Sequence, residues 1–461
     1  MRTGWASSRV SNAAPTVLHV PYGYMPDASG GTEVFVAALA RELRAFDWSS
    51  MVAAPGASDR RYEWEGVDVR RFAVSPGVSL DAQYGEGDRT AAAAFAAILT
   101  QCKPDIVHFH ALSPAVSARA MQAVAAKGIP LVFTYHTPTV SCVRGSMLRW
   151  GSQACDGRMR PRLCSACALH GKGLPKPVAA LMAALPHRLL AWIGRTIGKG
   201  RTSTALQMPL LVRNRHQTAR SAWAAADRIV AVCDWVHKVL LLNGIAPAKL
   251  LLSRQGLPSR TAQSQPPMQA RIVPSPAFSP ANPLRLAYFG RLDPTKGIEV
   301  LVAAVKLLPN APVALDIYGV GEVPRDDLAK AIDGRIRFHP PLASHAVPDA
   351  MKAYHLITVP SVCMETGPLV AYEALASGVP VLGSALGGIA EVIRDGTDGR
   401  LVSAGSPKAW ADALAEVLQN PQLLETWRSS PRATRTMGQV AAEMADLYRQ
   451  SLHGGKAQVS T

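Results

Sequence analysis

The chain has 461 residues, of which 48% are apolar and 18% charged, with a formal net charge of +16 at pH 7. The length is sufficient for two domains with full-sized cores, and the composition excludes a fibrous or wholly disordered chain. The positive charge indicates an acidic partner, and the candidates are anionic lipid headgroups, phosphorylated substrates and nucleic acid.

No secretory signal and no membrane-spanning segment are predicted from the sequence. Residues 1–15 are polar and lack the apolar stretch of a secretory signal, so we expect a cytoplasmic protein. The longest apolar stretch, Pro177 to Ile193, is interrupted at Pro186 and is too short on either side to span a bilayer. Seven cysteines in a reducing compartment predict free thiols or a metal site.

The first half of the chain alternates short apolar runs with helical patterns. Strands are predicted at 17–20, 50–54, 105–109, 130–135 and 226–233, and a helix from Thr32 to Ala45. This alternation predicts a parallel, doubly wound sheet. Gly30 and Gly31 precede the first helix, where a glycine turn would let a phosphate or an acceptor approach the backbone. His110 and His136 follow strands, at the sheet edge where α/β proteins bind ligands, whereas His108 lies on a strand and should be buried.

A basic insertion of about residues 140–222 separates two of these strands. Between Cys142 and Arg220 there are fourteen Arg or Lys residues and one acid, Asp156. Apolar runs at 178–185 and 189–193 are interspersed with basic residues, which favours a helix lying in an anionic membrane interface. The alternative is a helical hairpin packed on the first domain with a solvated basic face. Nucleic acid is the weaker interpretation, because basic and aromatic residues do not alternate as in a binding module.

Four of the cysteines lie in this insertion. Their spacing is C-x12-C-x8-C-x2-C, formed by Cys142, Cys155, Cys164 and Cys167. A Cys-x-x-Cys pair with two further thiols can form a tetrahedral zinc site, although the spacing is not that of a standard zinc ribbon. A structural zinc ion and four free thiols therefore both remain open.

The second half begins after a linker rich in Pro, Ser and Gln at 258–283, giving domains at 1–257 and 284–461. Strands are predicted at 284–289, 313–318, 336–338, 355–359 and 380–383, and tail helices at 407–418 and 440–452. The alternation predicts a second Rossmann-like domain.

Two motifs of the second half suit a nucleotide ligand. Arg291 and Lys296 follow the strand that ends near Gly290, and two cations at the carboxyl end of a strand suit a diphosphate. The segment from Glu365 to Glu373 places two carboxylates across a turn that opens a helix. In that turn Gly367, Pro368 and Leu369 would present backbone N–H groups to a phosphate or a sugar oxygen.

Three motifs in order carry a family resemblance: Gly-Arg-Leu-x-x-x-Lys-Gly from Gly290, the Glu-x7-Glu element from Glu365, and Ala-Ser-Gly-x-Pro-Val from Ala376. Together they resemble the retaining glycosyltransferases of family 4, which have the GT-B fold, two Rossmann-like domains that face a cleft. The resemblance covers nearly the whole chain outside the insertion, and it implies that the last helix crosses back to the first domain.

The resemblance implies transfer of a sugar from a nucleotide diphosphate sugar to a hydroxyl of a glycan or lipid-linked acceptor, with no cofactor required for catalysis. It implies that Arg291 and Lys296 stabilise the leaving diphosphate, that Glu373 binds the ribose and that Glu365 faces the transferred sugar. His136 would be a hydrogen-bond donor beside the reacting sugar, and His110 a residue of the acceptor side of the cleft. The expected site is the cytoplasmic face of the cell membrane, in polysaccharide or glycolipid assembly.

Two other functions are compatible with this architecture. A nucleotide-sugar epimerase would carry acidic catalytic residues in the cleft and would need no acceptor. A non-catalytic nucleotide-sugar-binding protein would be expected to lose Arg291, Lys296 or one of the two glutamates, and all four are present.

Overall fold

The computed structural model describes residues 14–27, 30–258, 277–321, 334–430 and 434–454. Most of the predicted linker, 259–276, lies outside the described residues. The remainder forms two α/β domains, each built on a largely or wholly parallel sheet. All strands predicted from the sequence in the two halves are present.

The first domain is built on an eight-stranded sheet of order β10-β9-β6-β5-β1-β2-β4-β3. Its strands, with the separate hairpin β7–β8 of the insertion, are β1 (Thr16–Val20), β2 (Ser49–Gly56), β3 (Arg60–Trp64), β4 (Val67–Ala73), β5 (Ile106–Phe109), β6 (Leu131–Tyr135), β7 (Leu148–Arg149), β8 (Gln153–Ala154), β9 (Arg228–Ala231) and β10 (Leu250–Leu252). The central strands are buried on both faces, which explains their nearly continuous apolar sequences. The antiparallel pair β3–β4 forms one edge and was not predicted.

The helices of this half are α1 (Gly31–Glu42), α2 (Leu80–Tyr84), α3 (Arg89–Cys102), α4 (Ala118–Ala126), α5 (Pro161–Gly171), α6 (Lys176–Ala184), α7 (His187–Ile197), α8 (Arg201–Ala225) and α9 (Asp234–Leu242). Several begin where a polar side chain caps free backbone N–H groups: Ser117 accepts from the N–H of Ala120, and Asp88 from that of Thr90.

The second domain has a parallel six-stranded sheet of order β13-β12-β11-β14-β15-β16. Its strands are β11 (Leu284–Arg291), β12 (Val313–Val320), β13 (Ile336–His339), β14 (Leu356–Val359), β15 (Val381–Ser384) and β16 (Gly399–Val402). Its helices are α10 (Ile298–Lys306), α11 (Val347–Met351), α12 (Leu369–Ala376), α13 (Gly387–Val392), α14 (Pro407–Gln419), α15 (Gln422–Arg428) and α16 (Met437–Gly454).

The C-terminal helix α16 returns to the first domain. Met437, Val440, Met444 and Tyr448 are buried with residues of α1 and β1 in one hydrophobic cluster. The Tyr448 hydroxyl also lies 2.6 Å from Nδ1 of His108 in β5. The chain therefore connects the two domains twice, once through 253–283 and once before α16.

The insertion is helical. Helices α5, α6 and α8 share a small apolar cluster that includes Leu169, Ala179, Met208 and Leu211, and α7 packs along α8. No single helix of the described residues is long and apolar enough to cross a membrane. Helices α6 and α7 pass that test of length and composition only as a pair, which is bent by 107°.

Candidate active site

The candidate site lies where the carboxyl ends of the two sheets approach each other. The Thr366 hydroxyl donates a 2.6 Å hydrogen bond to the carbonyl of His136, which follows β6. The indole N–H of Trp235, in α9, donates to the carbonyl of Glu365 at 2.8 Å. Loops of both domains are thus fixed against each other around the segment that begins at Glu365.

A third contact between the domains uses a carboxylate at a helix N-terminus. Both carboxylate oxygens of Glu391, in α13, accept hydrogen bonds from the backbone N–H groups of Asp234 and Trp235, at 2.7 and 2.9 Å. These N–H groups open α9 and have no partner within the helix, so a carboxylate there is favoured by both the hydrogen bonds and the helix dipole. No sequence motif indicates this contact.

Lys296 and Glu365 form an ion pair in the cleft. Nζ of Lys296 lies 2.7 Å from Oε1 of Glu365, and the Ser361 hydroxyl donates to the same oxygen. Burial alone would lower the pKa of Lys296, but the charge and hydrogen bond of Glu365 raise it above its ordinary value. Lys296 is therefore a permanent cation held in one position.

Arg291 is the more accessible of the two predicted cations. Its side chain is 57% exposed and lies 3.3 Å from Asp293. Its positive charge affects the pKa of two groups, Lys296 of the same domain and Glu33 of the first domain. The structure thus brings Arg291, Lys296 and Glu365 together, as the sequence predicted, and adds Glu33 to the group.

Glu33 was missed in the sequence analysis. It is 7% exposed in the first turn of α1, and burial raises the pKa of its carboxyl, an effect that backbone N–H groups and Arg291 partly offset. A Cβ atom on Gly30 would lie 2.8 Å from Oε2 of Glu33, which explains a glycine at that position. Next to it, a Cβ on Gly31 would lie 3.6 Å from Leu369 of the second domain, so this predicted donor-binding turn borders the cleft.

Glu373 differs sharply from Glu365. It lies in α12, and it makes no hydrogen bond or ion pair with the described residues. Burial raises the pKa of its carboxyl to about 7. A desolvated carboxylate without a partner is suited to accept hydrogen bonds from the hydroxyls of a ligand.

The turn before α12 is closely packed against the glycines that begin α13. Gly367 has a φ of +128°, which favours glycine. Pro368 is the N-cap of α12, so Leu369 opens the helix. A Cβ on Gly388 would lie 2.6 Å from the nitrogen of Gly367, and the Gly388 N–H donates to the carbonyl of Glu365. The glycines that begin α13 thus allow the close approach that shapes this turn. Gly290, the remaining predicted donor residue, lies in β11 beside Arg291.

Three histidines form a hydrogen-bonded chain leading inward from the cleft. Nε2 of His136 lies 3.2 Å from Nδ1 of His110, whose Nε2 lies 3.0 Å from Nδ1 of His19 in β1. Burial lowers the pKa of His136 to about 3, so the ring is neutral at physiological pH. His136 can then donate one hydrogen bond or accept one, but it is a weak base.

The prediction for His110 needs correction. Its side chain is completely buried, so it cannot contact an acceptor, and it lies behind His136 as a hydrogen-bond partner. The buried position of His108 was predicted correctly. Nitrogens of His19, His108 and His110 lie within 4.8 Å of one another, a spacing compatible with a metal. All of these nitrogens except Nε2 of His19 already have hydrogen-bond partners, which accounts for the cluster without an ion.

Two family models match the chain. The model for Glycosyltransferase Family 4 matches residues 29–166, and that for Glycosyl transferases group 1 matches residues 283–420, so together they cover more than half of the chain. The chain belongs to glycosyltransferase family 4. This assignment agrees with the placement of Gly31, His136, Arg291, Lys296 and Glu365 around one cleft.

Known relatives support the family 4 assignment. A D-inositol 3-phosphate glycosyltransferase from Streptomyces griseus is 32% identical over 191 residues, which are 38% of this chain and 40% of that protein. The aligned region therefore spans about two fifths of the length of this relative.

Solved structures show the GT-B fold. Sucrose-phosphate synthase from Thermosynechococcus elongatus matches with a TM-score of 0.61 and 18% identity, over 95% of this chain and 100% of that chain. The Anabaena protein HepE, solved in complex with UDP-glucose, matches with a TM-score of 0.54 and 16% identity, over 96% of this chain and 100% of that chain. At these identities the likeness concerns the fold alone.

Proposed function

We propose that this family 4 protein is a retaining glycosyltransferase that moves a sugar from a nucleotide diphosphate sugar to a hydroxyl of a glycan or lipid-linked acceptor. The observation that carries the proposal is the contrast between the two acids of the Glu365–Glu373 segment. Glu365 is neutralised by Lys296 at 2.7 Å, whereas Glu373 is desolvated and has no partner among the described residues. One acid positions a cation, and the other remains available to a ligand.

The diphosphate binds beside Lys296 and Arg291 in this proposal. When the bond between sugar and phosphate breaks, negative charge develops on the leaving diphosphate, and cations already in place lower the barrier. Lys296 is held by Glu365 and needs no reorganisation, while the exposed Arg291 can move onto the phosphate. Backbone N–H groups at the start of α12 add further donors.

The ribose of the nucleotide binds to Glu373, because a carboxylate can accept hydrogen bonds from two neighbouring hydroxyls. The transferred sugar then lies towards Glu365 and His136. A neutral His136 with a pKa of about 3 acts there as a hydrogen-bond donor. In a reaction on one face of the sugar, the leaving phosphate accepts the proton of the acceptor hydroxyl, so no side-chain base is needed.

An assay of nucleotide release tests the proposed activity. The purified protein is incubated with a panel of nucleotide sugars, with and without lipid-linked or soluble acceptors, and released nucleoside diphosphate is measured. We expect release that depends on the acceptor. In Lys296→Ala turnover should fall about 100-fold, the loss typical of a group that stabilises developing charge. The matched control is Arg61→Ala, which removes an exposed cation paired with Asp68 on the far edge of the sheet.

The alternatives give different results in the same assay. A nucleotide-sugar epimerase would convert the donor without any acceptor. A non-catalytic binding protein would bind nucleoside diphosphates, with weaker binding in Lys296→Ala, and would show no turnover with any donor. Either result would contradict the proposal.

We also propose that helices α6 and α7 attach the protein to an anionic membrane surface. Leu181, Leu189, Trp192 and Ile197 are 65%, 53%, 64% and 57% exposed, although their helices bury Ala179, Ala183 and Leu190 on the other side. Lys172, Lys176, Arg188, Lys199 and Arg201 are exposed around them. Apolar side chains flanked by basic ones suit the boundary between headgroups and acyl chains. The packed hairpin and the membrane-bound helix are therefore compatible in this proposal, because the helices bury one face and expose the other.

Flotation with vesicles of defined composition tests this attachment. We expect binding to vesicles with anionic lipid, loss of binding in Leu189→Ser/Trp192→Ser, and weaker binding at high salt, since each basic residue contributes about 1 kcal/mol near such a surface. Leu307→Ser is the matched control, because Leu307 is 56% exposed on the second domain. Equal binding by both variants, or no binding by the unaltered protein at low salt, would exclude the proposed surface.

A further inference from the structure

The four cysteines of the insertion come from three separate elements. Cys142 lies in the loop after the 3-10 turn Pro138–Val140, and Cys155 follows β8. Cys164 and Cys167 lie in α5, three residues apart and therefore on the same side of the helix. The N–H of Cys155 donates to the carbonyl of Met147 at 2.9 Å, which keeps the hairpin beside the Cys142 loop.

One cavity lies among the four side chains. It has a volume of about 40 Å³, and Cys142, Cys155, Cys164 and Cys167 all line it. The Cys164 thiol interacts electrostatically with the other three. A space of this size exceeds that of a single water and is sufficient for a metal ion.

Backbone N–H groups are directed at sulfur atoms of these cysteines. Backbone N–H groups of Arg144, Gly145 and Met147 are directed at the Cys142 sulfur. The backbone N–H of Trp150 donates to the sulfur of Cys167 at 3.3 Å. As donors, the thiols find only distant oxygens, at 3.7 to 3.9 Å. Outer N–H donors of this kind orient and support the sulfur ligands of a bound metal ion.

The charge around the cavity also fits a bound anionic cluster. Arg144, Arg149 and Arg158 line the cavity together with one acid, Asp156. Nε of Arg149 is buried and has no hydrogen-bond partner among the described residues. Four thiolates around a divalent cation carry two net negative charges, which the excess of arginines would balance.

From these observations we propose that Cys142, Cys155, Cys164 and Cys167 bind one structural Zn²⁺ ion. Four thiolates leave no open position for substrate, so the ion is structural and does not take part in sugar transfer. In the structure no three of the four sulfurs lie within 4.8 Å of one another. With Zn–S bonds of about 2.3 Å the sulfurs would be about 3.8 Å apart, so binding draws these half-buried side chains inward.

The zinc site would also brace the cleft. The carbonyl of Ser146, four residues after Cys142, accepts a 3.0 Å hydrogen bond from the N–H of Met364 in the second domain. Met364 immediately precedes Glu365, and its side chain packs in a hydrophobic cluster with Met147 of the Cys142 loop. Fixing that loop therefore supports the position of Glu365 from the other domain.

Elemental analysis tests the site. The full-length protein, purified under reducing conditions with a tag that contains no histidine, is assayed for zinc by mass spectrometry. We expect about one ion per chain. The content should fall to near zero in Cys164→Ser/Cys167→Ser and remain unchanged in Cys102→Ser, a control at the half-buried Cys102 at the end of α3.

A second measurement does not depend on the variants folding. Exchange of the unaltered protein into Co²⁺ should give the intense thiolate-to-cobalt absorption of a tetrahedral four-sulfur site. Absence of zinc together with free reaction of all four thiols, or a mass that shows disulfides among them, would overturn the proposal. The measurement of metal content requires no glycosyl transfer, so a protein without zinc leaves the proposed function standing, and a zinc protein without transferase activity leaves the proposed metal site standing.

Discussion

Replacing Glu373 by Gln should stabilise the ligand-free protein and weaken donor binding at the same time. Burial raises the pKa of this carboxyl from 4.5 to about 7. Its contribution to stability is therefore fully present below pH 4.5 and is lost as the pH rises through about 7. Above that pH the folded protein holds a carboxylate in a site that favours the neutral acid.

The size of the effect follows from the difference between the two pKa values. A difference of about 2.5 units corresponds to about 3 kcal/mol, because one unit is worth about 1.4 kcal/mol. Burying the polar amide of Gln also costs free energy, which offsets part of this difference. We therefore expect Glu373→Gln to raise the free energy of unfolding by about 2 kcal/mol at pH 8 and to change it little at pH 4.5.

Thermal unfolding of the ligand-free protein at several pH values measures this gain. The melting temperature of Glu373→Gln should exceed that of the unaltered protein by several degrees at pH 8. Affinity for an intact nucleotide sugar should be lower in the variant. In the unaltered protein this affinity should increase as the pH rises through about 7, and in Glu373→Gln that increase should be absent. The control is Glu365→Gln, which leaves Lys296 without its partner at 2.7 Å and should be destabilising. A Glu373→Gln protein that melts lower at pH 8, or binds the donor normally, would refute the assigned role.

Three further variants test other parts of the site. Arg291→Ala should reduce turnover strongly with an unchanged melting temperature, since the side chain is 57% exposed; normal steady-state kinetics would exclude it from the reaction. Glu391→Gln replaces a carboxylate that accepts two backbone N–H bonds at the start of α9 with a neutral amide, which should weaken the contact between the domains by about 1 to 2 kcal/mol. A larger radius of gyration in X-ray scattering would show this weakening. Gly388→Ala introduces a Cβ 2.6 Å from the nitrogen of Gly367 and should abolish donor binding in calorimetry, whereas unchanged affinity would show that the turn can shift.

The strands and the second-domain site could be predicted because their signals are local. Parallel strands buried on both faces are short apolar runs, and Arg291, Lys296, Glu365 and Glu373 lie directly after strands or around one turn. The hairpin β3–β4 was missed because both strands are rich in charged residues. The available signal in the sequence was the glycine of its turn at Glu65–Gly66, where both residues have positive φ in the structure.

Contacts between distant elements could not be predicted. The chain of His136, His110 and His19 depends on the order β6-β5-β1 in the sheet, which no local pattern specifies. The carboxylate of Glu391 at the start of α9 depends on how the domains meet, 157 residues apart in sequence. The return of the C-terminal helix α16 to the first domain was expected from the family resemblance alone, because the helix itself carries no motif that indicates it.

The proposed activity of this chain is the transfer of a sugar from a nucleotide diphosphate sugar to an acceptor. The most direct measurement is nuclear magnetic resonance of the reaction with a donor labelled with ¹³C at the anomeric carbon. The label should move into the acceptor with its anomeric configuration retained, in equal amount to the nucleoside diphosphate released, and the new signal should form about 100-fold more slowly in Lys296→Ala. A label that stays on the nucleotide while its sugar is epimerised, or a product of inverted configuration, would rule out retaining transfer by this chain.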